Sequence, residues 1–302
     1  MIAQKRVKEK KYNVGESVMG YVFALPWLAG LAIIFAYPLI SSVYYSLTNY
    51  DINWMTHDVI GFRNFRFLLT DNSFWESTRN TVIFVIISVP TNLFWAFLAA
   101  VFLSYKTKFI KVYRVMFYLP TLVTFMVVVL LWQWIFNPGF GPINTLLRAV
   151  GVPEESLPGW FSDSWARLAI VIMGWWSIGG VIIIMLASIL DVPTELHEAA
   201  KIDGAGVLRR LWKITLPMMA PIIWFNALTG MIGAFQNFLP SYVITGGLFG
   251  TNFLGYLIFQ EFFVAGNMGF ASAAAWLLLV VILVFAIGML LINKFLIHYM
   301  DE

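Results

Sequence analysis

The sequence predicts an all-α membrane protein: six transmembrane helices, with a short polar helix between spans four and five. Three observations carry that prediction. Only 12% of the 302 residues are charged and 60% are hydrophobic, whereas a soluble domain carries about 25% charged residues. Six long intervals hold no charge at all: 17–50, 80–105, 115–147, 168–190, 214–260 and 262–293. Each exceeds the ~20 apolar residues that cross a ~30 Å hydrocarbon core as a helix, and helices are how runs of this length satisfy their backbone in lipid. The third observation is the polar segment 191–217, set between two of these intervals.

In chain order the expected spans are 18–47, 79–104, 114–136, 166–190, 217–239 and 270–293, within one transmembrane domain over 18–302 that follows a basic tail over 1–17. The first span holds Pro26 and Pro38, which predict a kink that neighbouring helices can absorb. Its apolar run is too long for a signal-peptide core and lacks a small-residue cleavage pattern, so it reads as a retained span. The fifth interval could hold two spans. Its second half carries Gly246, Gly247, Gly250 and Gly255 among polar residues, which favours an outer loop or short half-buried helix; a seventh span is the alternative.

Basic residues orient the chain. One side collects Lys5, Arg6, Lys8, Lys10, Lys11, Lys106, Lys108, Lys111, Arg114, Lys201, Arg209, Arg210, Lys213 and Lys294; the other has Arg63, Arg66, Arg79, Arg148 and Arg167. Both termini and the polar segment are therefore expected in the cytoplasm.

What the spans lack narrows the function. A proton-coupled carrier needs an ionisable group within the membrane, and the charge-free intervals hold none. Sodium could still be held by carbonyls and hydroxyls. A membrane enzyme would want a carboxylate pair, a metal cluster or an activated nucleophile. The chain has no cysteine, and its histidines, His57, His197 and His298, lie far apart, so no metal site is expected. A phosphate-cradling loop needs Gly-x-x-x-x-Gly-Lys-Ser/Thr, yet none of the ten lysines follows a glycine. Any nucleotide hydrolysis belongs to another polypeptide.

The polar segment reads DVPTELHEAAKIDGAGVLRRLWKITLP. Thr194 suits an N-cap, Glu195 and Glu198 suit the first turns, and Gly204 suits a left-handed stop. A second helix is expected from about Gly206. With Arg209, Arg210 and Lys213, that second half could equally lie on anionic headgroups. The acidic, alanine-rich first half fits such a surface poorly.

Glu198-Ala199-Ala200, three residues, Gly204, nine residues and then Ile214-x-Leu216-Pro217 resembles the EAA loop of ATP-binding-cassette importer permeases. Asp203, Gly204 and Ala205 match that family's usual run, while Leu211 and Gly206 stand where it often has Phe and Ser. The segments 59–69, 114–120, 132–144, 245–263 and 269–275 extend the likeness to carbohydrate-type permeases of the maltose and glycerol-phosphate first-subunit kind, with Leu248 replacing a usual proline. The resemblance implies a bacterial inner-membrane subunit that pairs with a second permease, two copies of a cytoplasmic ATPase and an extracytoplasmic solute-binding protein. No nucleic acid is expected. ATP and magnesium would sit on the ATPase, with no cofactor in this chain. It also implies that Glu198 anchors the ATPase, that Ala199 and Ala200 permit close approach, and that Asp203 and Gly204 end the docked helix. The substrate path would take Thr121 and Phe125 from the third span, Met173, Trp176 and Ser177 from the fourth, and Gly230, Ala234 and Asn237 from the fifth. Gln133, Asn92 and Gln236 are polar span residues that helix–helix hydrogen bonds explain equally well. Trp132 and Trp134 are expected as interfacial anchors. The competing reading is a self-sufficient sodium-coupled carrier or pore.

Overall fold

The computed structural model describes residues 14–55, 58–105, 107–162 and 165–298. The basic tail residues Lys5, Arg6, Lys8, Lys10 and Lys11, together with His57 and Lys106, lie outside them.

Among the described residues three continuous helices are long and apolar enough to cross a membrane: α1 (Val18–Ser46), α3 (Asn72–Ser104) and α13 (Met268–His298). Pro26 and Pro38 leave α1 continuous. The missing donor at Pro38 is accommodated by a π-helical turn over Leu31–Ala36, in which the Tyr37 N–H reaches back to the Ala32 carbonyl. The connection from α1 is fastened by Asn64, on the short helix α2 (Arg63–Thr70), whose amide donates to the carbonyls of Ser46 and Thr48 at 3.0 and 2.8 Å. α3 is capped by Asp71, which accepts from the Ser73 N–H.

Three further spans are bent pairs, which bring the count to six if each pair crosses once. The third, expected as one helix over 114–136, breaks into α4 (Ile110–Leu122) and α5 (Phe125–Ile135), which meet at 101°. Pro120 tightens the end of α4 into a 3₁₀ turn, and Val123 and Thr124 are extended between the pair. Beyond α5 a small lobe carries α6 (Pro142–Ala149). There Trp160 donates to Asn144 at 2.7 Å, and Arg148 pairs with Glu154 at 2.8 Å. That hydrogen bond holds the Glu154 carboxyl below its usual range. The fourth span divides into α7 (Trp165–Trp176) and α8 (Gly179–Asp191) at 53°. Gly179 makes this possible: a Cβ there would lie 2.4 Å from the Phe117 carbonyl oxygen, so only glycine lets α8 start against α4.

The polar segment forms α9 (Thr194–Ile202) and α10 (Val207–Met218); α10 bends by 66° into the fifth span, α11 (Ala220–Phe235), between Pro217 and Pro221. Between α11 and α13 the chain turns back rather than adding a full span. A π-helical turn over Ser241–Thr245 leads through left-handed Gly246, Gly247 and Gly250 to the short apolar helix α12 (Leu254–Val264). The expected short half-buried helix is thus α12.

Packing centres on α3. One buried cluster joins Val85 of α3 to Met231 and Phe235 of α11 and to Ala273, Ala274 and Leu278 of α13. A second, toward the end of α3 that leads to Ser104, joins Ala96, Ala100 and Leu103 to Ile182, Met185 and Leu186 of α8. The small residues allow close backbone approach, which carries helix association where lipid removes the hydrophobic drive.

Candidate functional site

A cavity of about 470 Å³ lies at the middle of the bundle. Phe84, Ser88 and Asn92 supply its α3 wall, recurring every fourth residue and so sharing one helix face. Met173 and Gly174 come from α7, Gly230 and Ala234 from α11, and Gln236 and Asn237 from the turn that follows. Phe125 closes it from the break between α4 and α5. No lining residue is charged. The returning segment packs against the same wall: Phe253 lies on Phe84 with ring centroids 4.8 Å apart.

Polar capacity in this wall is unspent. Ser88 Oγ and Asn92 Oδ1 are buried and have no hydrogen-bond partner among the described residues. The Asn237 backbone is fixed from behind by α12, where Gly255 approaches so closely that a Cβ would lie 3.0 Å from the Asn237 carbonyl oxygen. Such a surface, with aromatic faces and a few amide and hydroxyl groups, is chemistry that recognises a neutral hydroxylated solute.

Of the residues assigned to a path from sequence, Phe125, Met173, Gly230, Ala234 and Asn237 line this cavity. Thr121, Trp176 and Ser177 do not. The Thr121 hydroxyl is turned back on the Tyr118 carbonyl at 2.7 Å, and its methyl group packs toward Gly179. Trp176 lines a separate apolar cavity of about 660 Å³ with Trp95, Trp175 and Pro120. Ser177 sits in the bend between α7 and α8, its hydroxyl buried without a partner. Phe84, Ser88 and Gly174 went unassigned from sequence; the four-residue spacing of Phe84, Ser88 and Asn92 was the signal available. Trp132 departs from its expected place at the membrane edge: it packs inward on Phe136 at 4.9 Å, while Trp134 is exposed.

Two polar clamps hold the returning segment over the cavity. The Arg167 guanidinium donates to the Gly250 carbonyl at 3.1 Å and to Asn80 Oδ1 at 3.0 Å. The Leu254 N–H donates to Thr81 Oγ1 at 2.8 Å.

The second functional element is α9. None of its residues is buried, and Ile202 is an apolar side chain left 87% exposed among the described residues. Glu198 and Ala199 are exposed and Ala200 partly so. Pro193, not Thr194, occupies the N-cap position, because its fixed φ of −54° with ψ 128° already supplies the geometry; Thr194 makes no cap hydrogen bond. At the other end Asp203 is the C-cap and Gly204 is left-handed at φ 78°. The Gly204 N–H donates to the Lys201 carbonyl at 3.1 Å and the Ala205 N–H to the Ala200 carbonyl at 2.8 Å. This paired arrangement is the Schellman stop. Nothing lies near the Gly204 Cβ position, so conformation alone requires glycine there.

Comparison with known proteins agrees with this architecture. Residues 92–298 match the family described as binding-protein-dependent transport system inner membrane component. The chain is 34% identical to the probable ABC transporter permease protein YesP of Bacillus subtilis, over 94% of this chain and 93% of that one. It is 32% identical to the lactose transport system permease protein LacF of Rhizobium radiobacter, over 82% of each. The fold is shared with a chain of a bacterial alginate ABC transporter solved with its alginate-bound periplasmic protein: TM-score 0.79 at 20% identity, covering 91% of this chain and 94% of that one. The extent of these matches over α3 to α13 establishes the chain as a member of the binding-protein-dependent inner-membrane component family, the ABC transporter permeases.

Proposed function

We propose that this chain is one half of a heteromeric, ATP-driven importer of neutral sugars or oligosaccharides. The carrying observation is the central cavity, whose lining is uncharged and in whose wall Ser88 Oγ and Asn92 Oδ1 have no hydrogen-bond partner among the described residues. Relatives named for lactose and for sulfoquinovosyl glycerol transport support the carbohydrate class. The second of those solutes is anionic. The uncharged lining here therefore favours a neutral solute, or leaves countercharge to the other half of the path.

In this reading six spans place both termini in the cytoplasm of a bacterial inner membrane. A second permease completes the path, and a solute-binding protein delivers sugar to the outer face. Two ATPase copies, carrying ATP and magnesium, grip the coupling helices of the two permeases. Here Glu198 pairs with a basic group of the ATPase, the small Ala199 and Ala200 let the surfaces close, and Ile202 fills an apolar depression. A helix stopped sharply at Gly204 and continued through α10 into α11 transmits a rigid push to the wall that carries Gly230, Ala234 and Asn237.

The test is uptake by proteoliposomes holding the intact complex, with ATP inside and a panel of neutral oligosaccharides offered with the binding protein outside. Uptake that requires ATP and ignores a sodium gradient supports the proposal. Uptake driven by sodium without ATP overturns it.

A further inference from the structure

Behind α9 lies a second cavity of about 210 Å³. Its walls come from the last turns of α3 and α8 and from α9 and α10. Tyr105, His197, Arg210 and Thr215 face it, and Val101 and Ile189 form an apolar wall on the side of the spans. Its polar groups are short of partners. Among the described residues Arg210 reaches only the His197 carbonyl, at 3.5 Å, and its buried Nε has no partner. Among the described residues the Thr215 hydroxyl, on a residue 4% exposed, makes no hydrogen bond. No carboxylate lines the cavity.

A half-buried guanidinium beside hydroxyl donors, with no acid to balance it, calls for an anion with several acceptor oxygens. Two features choose a phosphate over a protein carboxylate. The cavity is bounded by α9, α10 and the last turns of α3 and α8, with Val101 and Ile189 as its apolar wall on the side of the spans. α10 also has the composition of a helix at a lipid surface, with Arg209 and Lys213 exposed beside Leu208 and Trp212, the last 61% exposed. We infer that this cavity binds the phosphate of an anionic phospholipid headgroup from the cytoplasmic leaflet, with Arg210 as the principal ligand and Thr215, Tyr105 and His197 as supporting donors. The lipid then props α9 against α3, and coupling depends on leaflet composition.

This inference rests on the cytoplasmic placement of α9 and α10, but its test needs no transport. The full chain, with the subunits that co-purify, is placed in nanodiscs of phosphatidylcholine, with or without a share of phosphatidylglycerol. Native mass spectrometry reads the lipid retained, and thermal unfolding gives a second readout. Wild type is expected to retain phosphatidylglycerol. Arg210→Gln should lose it by about tenfold or more, as expected for a lost charge-assisted contact, and exposed Arg209→Gln should change it by about fivefold or less. Thr215→Val, which removes only a hydroxyl, should weaken retention if Arg210→Gln proves unstable. Inorganic phosphate added to pure phosphatidylcholine discs separates the sources: an Arg210-dependent stabilisation by phosphate alone keeps the phosphate chemistry and assigns it to the free ion. Equal losses from Arg209→Gln and Arg210→Gln would mean diffuse surface charge and overturn the site. So would an Arg210→Gln complex that sheds its ATPase while keeping phosphatidylglycerol. Neither result would touch the importer reading, which ATP-driven uptake tests separately.

Discussion

The Ala205 N–H donates to the Ala200 carbonyl at 2.8 Å across left-handed Gly204. That bond fixes where the exposed helix α9 stops and where α10 begins. A residue with a Cβ would have to adopt the same left-handed conformation at a cost of about 1–2 kcal/mol. Gly204→Val should therefore fray the end of α9 without unfolding the bundle. Amide hydrogen exchange should accelerate at Ala205 and leave α3 protected; equal acceleration in both would contradict a local role.

Glu198 is exposed and has no partner among the described residues, so Glu198→Ala should leave stability within about 0.5 kcal/mol of wild type. In the assembled transporter it should separate ATP hydrolysis from uptake. Coupled uptake at the wild-type rate would remove the anchoring role.

Asn92 and Asn237 line an uncharged cavity. Replacing either by Ala removes hydrogen-bonding capacity worth about 1–1.5 kcal/mol, so half-saturation for solute should rise by about tenfold. Trp176→Phe, in a separate apolar cavity, should leave half-saturation unchanged. Uptake titrations in proteoliposomes distinguish the two cavities.

Arg167 holds Gly250 and Asn80 together. Arg167→Met leaves both acceptors unpaired and should cost about 1.5–3 kcal/mol, the scale of hydrogen bonds to a charged group. Arg167→Lys should recover only part, since an ammonium lacks the planar fork. Thermal unfolding of the three proteins in one detergent reads the ranking.

Gly179 admits no side chain, because the Phe117 carbonyl occupies the Cβ position. Gly179→Val should destabilise by about 1–3 kcal/mol through overpacking, while Gly180→Ala, with open space beside it, should cost far less. Paired melting curves decide it.

Much of this was legible in the chain itself, for identifiable reasons. Charge-free intervals mark helices because lipid excludes charge, and Gly204 marks a stop because few other residues tolerate its conformation. The break at Val123 and Thr124 was hidden because it carries no charge, although Pro120 was the local cue. Thr194 misled because propensity favours it as a cap, while Pro193 already held the required backbone angles. Trp132 and Trp176 show the limit of reading aromatics by position: composition places tryptophan near a span's end, but only packing decides whether it turns to lipid, core or cavity. Ser88 and Asn92 gave a usable spacing that helix–helix hydrogen bonding could have explained; the structure leaves their buried oxygens unpaired.

The most direct test of the central claim, that this permease works as half of an ATP-driven importer through α9, is gentle purification of the tagged chain from its native membrane, with mass spectrometry of its companions. The account predicts a second permease and an ATPase, the latter in two copies per pair. A chain recovered by itself that moves solute into liposomes without ATP would contradict it.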